Sequence, residues 1–544
     1  SQMNDIRHHL SALPFLALFS CSAVGLACAQ TGEVAKIPAA IQAIFDKPEY
    51  KNSTWGLRVV DASTGETLLD LNPTYQFFIG SVRKVFTIGE LINQIGPDHS
   101  YDTPVYREGP VNSEGVLQGD LILVASGDLT MGGRTQKNGT IAVTDYDHNE
   151  ANSLGNAQLT SPDPLAGFAE IAHQIAASGI KEIGGDVVID DRLFNPFLFR
   201  GEFNVKPIFV NDDCVDCIMT PAPTAGDPVP FDYRPKSVAL TVTSDVKMSA
   251  KGTDIDIKSG DIVSSPFIPD CTDGGCIGKM TGQLPIGFVP PLTNDYPLIR
   301  VFRIVQPSDY ARTVLIEQLR AAGVKVLAPT VEPNPVRLLP AKNSYKPDAR
   351  VAELQGLPFS EDAKFVLKVS YNIGADTSLV LFGLTQGVND MKAALAAEQT
   401  NLQNGYGIAP GEYHFVDGSG GGPSTAECPA VTRFLTEMVT RPAFSEHKAG
   451  FPIMGVDGSL VGVTNFESDP SLAGAKGNVF AKPGTYVAFP TIEGQAFAGY
   501  IHTKSGRTLV YEVVVNNVPF TDVQGVLNVF NDQGIVSAIL WRDY

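Results

Sequence analysis

Apolar positions from Trp55 to Asn72 (WGLRVVDASTGETLLDLN) fall into two β-rich runs around Ala62-Ser63-Thr64-Gly65, which predicts a pair of strands joined by a tight turn. The period then changes. Between Ser81 and Gly96, Val85, Ile88, Ile92 and Ile95 recur at helical spacing and Gly96-Pro97 supplies a stop, so Ser81 is expected at or near the N-terminus of a helix. From about 101 to 350 the chain becomes a series of short β-rich runs, such as LILVASGD and DVVIDD, separated by Gly, Pro and Asp. Two helical patterns interrupt them, FAEIAHQIAASGIKEIGGDVVI (168–189) and YARTVLIEQLRAAGVKVLAPTV (310–331). Each runs helix, glycine stop, strand, as in an internal repeat. Helical periodicity returns near 351 (FVLKVSYNIGADTSLVLFGL), and the chain closes with two strands, GQAFAGYIHT and RTLVYEVVVNN, and a helix from Thr521. This order predicts one domain over 30–100 and 350–544, split by an inserted domain over 101–205 and 296–349. Residues 206–295, rich in Pro, Gly and Asp, form a further inserted, Cys-containing subdomain.

Length and charge narrow the class. A chain of 544 residues with 43% apolar content can bury two or three cores. A net charge of −19 with no Lys/Arg run argues against a nucleic-acid partner, which needs a basic stripe. Arg7, the apolar stretch Leu10 to Phe19 and the small-x-small site Ala27-Cys28-Ala29 read as a cleaved signal peptide over 1–29, and Phe19 makes a lipoprotein signal ending at Cys21 a poorer fit. No later run is long enough to span a bilayer, so no transmembrane segment is expected.

In an exported chain Cys214, Cys217, Cys271 and Cys276 read as disulfides of unfixed pairing. A four-thiolate zinc site is the sharper alternative, and Cys428 reads as a small buried residue. Asp145-Tyr146-Asp147-His148-Asn149-Glu150 reads as a solvated acidic loop in preference to a cation site. The C-terminal helix, whose only basic residue is Arg542, is expected to dock on a sheet and not on a membrane.

A serine hydroxyl is a poor nucleophile until a base takes its proton, and a lysine three residues later on a helix lies on the same face. Ser81-Val82-Arg83-Lys84 meets this condition. The same spacing occurs at Ser178/Lys181, Ser244/Lys247 and Ser445/Lys448, but these straddle a glycine stop, lie in a β-rich run and lie in a link containing Pro and His, respectively. Only Ser81 opens a marked helix. Downstream, Ser-x-Asn occurs once, at Ser370-Tyr371-Asn372. Two lysine motifs follow. Lys482, opening Lys482-Pro483-Gly484-Thr485, ends a strand-like run (NVFA), whereas Lys504-Ser505-Gly506 sits between two long β runs and reads as a hairpin turn.

In that order, Ser-x-x-Lys, Ser-x-Asn and a Lys-x-Gly strand motif resemble the signature of penicillin-recognising serine enzymes. GDLILVASGDLT (119–130), GGDVVIDDRLF (184–194), VDGSG (416–420) and MGVDGSL (454–460) make the resemblance specific to D-alanyl-D-alanine carboxypeptidases/endopeptidases, the low-molecular-mass penicillin-binding proteins. The resemblance implies an α/β (α+β) fold: a serine β-lactamase-like catalytic domain, with an antiparallel sheet flanked by helices, carrying large β-rich insertions. It implies periplasmic hydrolysis of peptidoglycan stem peptides through an acyl-enzyme on Ser81, acylation by β-lactams, no cofactor or metal, and a homodimer as a candidate assembly. By the same resemblance Lys84 is the base, Ser370 relays a proton and Asn372 holds Lys84 and the substrate amide. Lys482 supplies charge for a carboxylate, Gly484 and Thr485 line the substrate and oxyanion side, and the Ser81 and Thr485 N–H groups form the oxyanion hole.

Three departures stand out: Pro483 replaces a hydroxyl residue, Tyr371 a small acidic one, and Gly421-Gly422 occupy a stretch where an arginine is expected nearby. Alternatives are a β-lactamase or esterase of the same fold, or a catalytically weak penicillin-binding protein. No Gly-x-Ser-x-Gly elbow is present.

Overall fold

The computed structural model describes residues 34–261 and 267–544, so the export segment expected over 1–29 lies outside the described residues. A five-stranded sheet organises the catalytic part. Its spatial order is Thr67–Leu71, Thr54–Asp61, Thr508–Pro519, Thr491–His502, Val479–Ala488, with every neighbouring pair antiparallel. The predicted N-terminal hairpin is present, and its inner strand pairs with the far end of the chain, Leu57 opposite Val513 and Val59 opposite Tyr511.

Both faces of the sheet are buried. Ala496, Ala498, Tyr500, Val510 and Val514 share one apolar core with Val85, Phe86 and Ile88 of the helix Arg83–Ile95. Phe497, Ile501, Tyr511, Val513 and Val515 share another with Val536, Ile539 and Leu540 of the C-terminal helix Val523–Asp543. Burial on both sides explains why LVYEVVV reads as a nearly unbroken apolar run and not as an alternating one. The C-terminal helix docks on the sheet as expected, Gln533 Nε2 donating to Gln495 O at 2.8 Å and Tyr511 OH lying 2.8 Å from Ser537 Oγ. Among the described residues, no helix is long and apolar enough to cross a membrane.

The inserted part carries its own core, which draws on residues from Val105 to Leu354 and includes Met248 and Met280 of the Cys-bearing stretch. Its four-stranded sheet runs Arg350–Leu354, Thr103–Glu108, Asp120–Val124, Val187–Asp190. The inserted sheet therefore extends a few residues past 349. Both repeat-like segments fold as helix then strand, Ala166–Ala177 before Glu182–Ile183 and Pro307–Ala321 before Lys325–Val326. The two short strands pair in parallel, Glu182 opposite Lys325.

The cysteines depart from expectation. Cys271 and Cys276 face each other across a ladder and form a disulfide, whereas Cys214 and Cys217 are free and buried. This overturns both the reading of all four as disulfides and the four-thiolate zinc site. Three residues apart on the strand Cys214–Met219, the two thiols leave on opposite faces, Cys214 beside Ile299 and Val301 and Cys217 into the inserted core. Cys428 is a free, buried residue at the start of the helix Cys428–Val439.

The acidic stretch is also not a solvated loop, because Asp147, His148 and Asn149 are buried. Arg134 Nη2 lies 2.7 Å from both Asp147 Oδ2 and Asp212 Oδ2, and His148 bridges Asp212 at 2.6 Å and Asp216 at 2.5 Å. Counter-charges from separate parts of the chain, Arg134 in a turn, Asp212 in the 3-10 turn Asn211–Asp213 and Asp216 on the strand Cys214–Met219, offset the cost of that burial, and no local pattern announces them.

Candidate active site

Ser81 lies in the 3-10 turn Gly80–Val82 that leads directly into the helix Arg83–Ile95. It is partly exposed, whereas Lys84, one turn on, is fully buried with Nζ 2.6 Å from Ser81 Oγ. Two glycines allow the edge strand Val479–Ala488 to lie against this turn. A Cβ on Gly80, whose φ is +50°, would fall 2.5 Å from Thr485 N, and one on Gly484 would fall 2.0 Å from Ile79 O and 2.7 Å from Ser81 N.

Ser370 occupies the short link between the helices Phe359–Lys368 and Asn372–Thr385, in the left-handed region at φ +64°. That conformation is costly for a serine and persists only where its surroundings hold it. Tyr371 supplies part of the hold, buried and stacked on Phe365 at 4.3 Å. Ser370 Oγ lies between two lysine side chains, 3.0 Å from Lys84 Nζ and 3.1 Å from Lys482 Nζ. Lys84 Nζ also donates to Asn372 Oδ1 at 2.7 Å and to Ser419 O at 3.0 Å. The Ser419 carbonyl is fixed by its own turn: Asp417 Oδ1 accepts the N–H groups of Ser419 and Gly420, and Asp376 Oδ1 accepts that of Gly418.

Lys482 is fully buried on the edge strand and donates to Pro483 O at 2.8 Å. Pro483 is tolerated because an edge strand can spare an N–H. Thr485 Oγ1 donates to Gln495 Oε1 at 2.5 Å. The structure thus joins Ser81, Lys84, Ser370, Asn372 and Lys482 in one hydrogen-bonded cluster, with Gly484 and Thr485 on the strand that passes the Ser81 turn. The competing matches lie elsewhere. Lys504-Ser505-Gly506 is the turn between Thr491–His502 and Thr508–Pro519, with Ser505 Oγ donating to Tyr544 O at 2.6 Å. Ser445/Lys448 lies on the short helix Phe444–Ala449 and not in the expected link, and Lys448 Nζ is 2.5 Å from His502 Nε2.

Burial pushes the Lys84 ammonium down to about 7; the charge of Arg200 acts the same way, opposed by Asp376, Asp417 and Glu150. Burial, with Lys84 nearby, also holds Lys482 well below the usual lysine range. Asp376 is raised to about 7 by burial and by the adjacent Asp417 carboxylate.

Two groups in the site were not singled out from sequence. Arg200, in the turn between Phe197–Phe199 and Phe203–Val205, donates to Ser419 Oγ at 3.2 Å. Its Nε lies 2.9 Å from where a Gly421 Cβ would stand, so a cation lies beside the Gly421-Gly422 stretch although the stretch itself has none. Glu150 Oε1 accepts from Asn372 Nδ2 at 3.2 Å. Its only sequence signal was membership of the acidic stretch 145–150, where charge alone suggested solvent.

The D-Ala-D-Ala carboxypeptidase 3 (S13) family model matches residues 37–250 and 279–530. The D-alanyl-D-alanine carboxypeptidase of Actinomadura sp. (strain R39) is 24% identical over 512 residues, 90% of this chain and 83% of that protein. Among solved structures, penicillin binding protein 4 from Haemophilus influenzae matches with TM-score 0.65 and 17% identity over 91% of this chain and 98% of its own. The same protein complexed with a β-lactam matches with TM-score 0.61 and 18% identity over 92% and 99%. The structural likeness extends over both the catalytic and the inserted parts, and the family match begins before the first strand and ends within the last helix. The chain belongs to the D-Ala-D-Ala carboxypeptidase 3 (S13) family and is a serine hydrolase.

Proposed function

We propose that this serine hydrolase is a D-alanyl-D-alanine carboxypeptidase/endopeptidase acting on peptidoglycan stem peptides, with Ser81 as the acylated nucleophile and Lys84 as its base. The observation that carries the reading is the set of bonds around Lys84 Nζ. A neutral amine has two N–H donors and one lone pair. Asn372 Oδ1 and the Ser419 carbonyl can only accept, so they take the two donors, and the lone pair is left for the Ser81 hydroxyl at 2.6 Å.

On attack at the carbonyl between two D-alanines, the Ser81 proton moves to Lys84 and the new C–O bond gives a tetrahedral oxyanion. The backbone N–H groups of Ser81 and Thr485 face that oxyanion. Lys84 then returns the proton through Ser370 to the departing amine as the C–N bond breaks, and Lys482 keeps the Ser370 oxygen engaged; the arriving substrate carboxylate favours the charged form of Lys482 that burial disfavours in the free cleft. Water hydrolyses the ester by the reverse proton path. A β-lactam acylates Ser81 by the same first step. Export to the periplasm through residues 1–29, and the division into a catalytic domain (30–100 and 350–544), an inserted domain (101–205 and 296–349) and a Cys-containing subdomain (206–295), complete the reading.

The test uses the full chain and Ser81→Ala with a fluorescent penicillin and with purified muropeptides, products being read by mass. The expected result is a stable penicilloyl adduct on wild type only, with loss of one alanine, cleavage of cross-links, or both. Rapid turnover of the β-lactam without muropeptide cleavage would favour a β-lactamase, and an adduct that survives in Ser81→Ala would refute the assignment of the nucleophile.

A further inference from the structure

The two ends of the Asn372 amide are nearly isosteric but chemically opposite, so its neighbours must decide which end faces the base. The oxygen faces Lys84 Nζ at 2.7 Å and the nitrogen faces Glu150 Oε1 at 3.2 Å. The reversed amide would bring two N–H donors against an amine. Lys84 would then accept from Asn372, and its lone pair would no longer be free for Ser81. The hydroxyls of Ser81 and Ser370 cannot prevent the reversal, because a hydroxyl donates or accepts as required. A carboxylate can. It offers acceptors only, so the orientation seen here is the one that satisfies both sides of the amide.

Glu150 is well placed to be a fixed reference. It ends the turn His148–Glu150 and stands immediately before the helix Ala151–Leu154, with its N–H bonded to Asp147 O at 3.2 Å. Asp147 is itself clamped by Arg134. Burial pushes the Glu150 carboxyl up, and the facing charges of Arg200, Lys84 and Arg303 oppose that rise and favour the carboxylate, against Asp147. It comes from the inserted part of the chain, whereas Asn372 and Lys84 come from the catalytic part.

We propose that Glu150 is a positioning residue of the acylation step: its carboxylate locks the Asn372 amide with the oxygen toward Lys84, so that the Lys84 lone pair stays directed at Ser81. The proposal rests on the reading of Lys84 as base given above. Asn372 Nδ2 keeps a second N–H, which is free for a substrate carbonyl.

The experiment measures the second-order rate of acylation by benzylpenicillin for the full-length wild type, Glu150→Ala and Glu150→Gln, together with their melting temperatures. Benzylpenicillin carries no stem peptide, so a role of Glu150 in gripping the peptide would leave this rate unchanged. The expected result is a fall of about 10- to 30-fold for Glu150→Ala, the effect of losing one orienting hydrogen bond, and a rate within about threefold of wild type for Glu150→Gln, whose amide oxygen still accepts. If Glu150→Ala does not fold, Glu150→Met, of similar length but without an acceptor for the amide, takes its place with the same expectation. Equal rates for wild type and the acceptor-less variant would overturn the proposal, and so would equal losses in that variant and in Glu150→Gln. Failure of the wild type to acylate would instead refute the function proposed above.

Discussion

Two clusters of buried cations lie on either side of Asn372 and Glu150, and they are neutralised in opposite ways. In the cleft, the hydrogen bonds of Lys84 and Lys482 go to hydroxyl, amide and carbonyl oxygens. Burial prevails there, taking Lys84 down to about 7 and Lys482 well below its usual range. In the inserted part, Arg134 and His148 are held by Asp147, Asp212 and Asp216. Pairing prevails here, lowering Asp147 to about 2 and raising His148 well above the ordinary imidazole. A buried cation bonded to neutral dipoles can give up its proton near neutrality and so can do chemistry; one clamped by carboxylates keeps its charge and acts as scaffold. The two clusters are mechanically joined, since the Arg134 guanidinium lies 4.0 Å over the Phe365 ring on which Tyr371 stacks.

The sharpest way to break this contrast is to remove one cation from each cluster. Lys84→Met is expected to lower penicillin acylation by about 10³- to 10⁴-fold while the urea midpoint stays equal or rises, because the variant no longer buries an amine. Arg134→Met is expected to do the reverse. It leaves Asp147 and Asp212 without their guanidinium and costs about 3–5 kcal/mol in urea unfolding, while the protein that remains folded still acylates. A stable Arg134→Met, or a destabilised Lys84→Met, would remove the distinction.

The smallest expected effect concerns pH. With Lys84 as the proposed base it must be neutral to accept the Ser81 proton, and its ammonium is depressed to about 7, so acylation should rise about tenfold per pH unit below 7 and level off above it. Arg200→Gln removes a charge that disfavours the Lys84 ammonium. The rising limb should therefore move to higher pH, and a limb that stays in place would show that Arg200 does not act on Lys84.

Much of the site was legible because its elements carry local signals. Ser81 and Lys84 share one helix, Ser370-Tyr371-Asn372 occurs once, and Lys504-Ser505-Gly506 betrayed itself as a turn by its position between two long strands. Lys482 was correctly placed on a strand but read as its end, whereas the strand continues to Ala488 because the edge position tolerates Pro483. What stayed hidden involved partners brought together from afar. The acidic stretch 145–150 looked solvated because Arg134, Asp212 and Asp216 are not its sequence neighbours. The cysteines looked equivalent because spacing alone does not tell which face of a strand a thiol leaves from.

The sequence by itself determined the hairpin, the helix that the Ser81 turn leads into, the two closing strands, and the order of the three motifs that mark the family. These rest on short-range periodicity, turn chemistry and the spacing of reactive side chains, all written within a few residues. Only the tertiary structure decided that Gly80 and Gly484 let the edge strand touch the Ser81 turn, that Cys271 pairs with Cys276 while Cys214 and Cys217 stay free, and that Arg200 and Glu150 of the inserted part reach the cleft. Those outcomes depend on burial and on which groups desolvation leaves facing one another, and a linear chain does not specify these until it has folded.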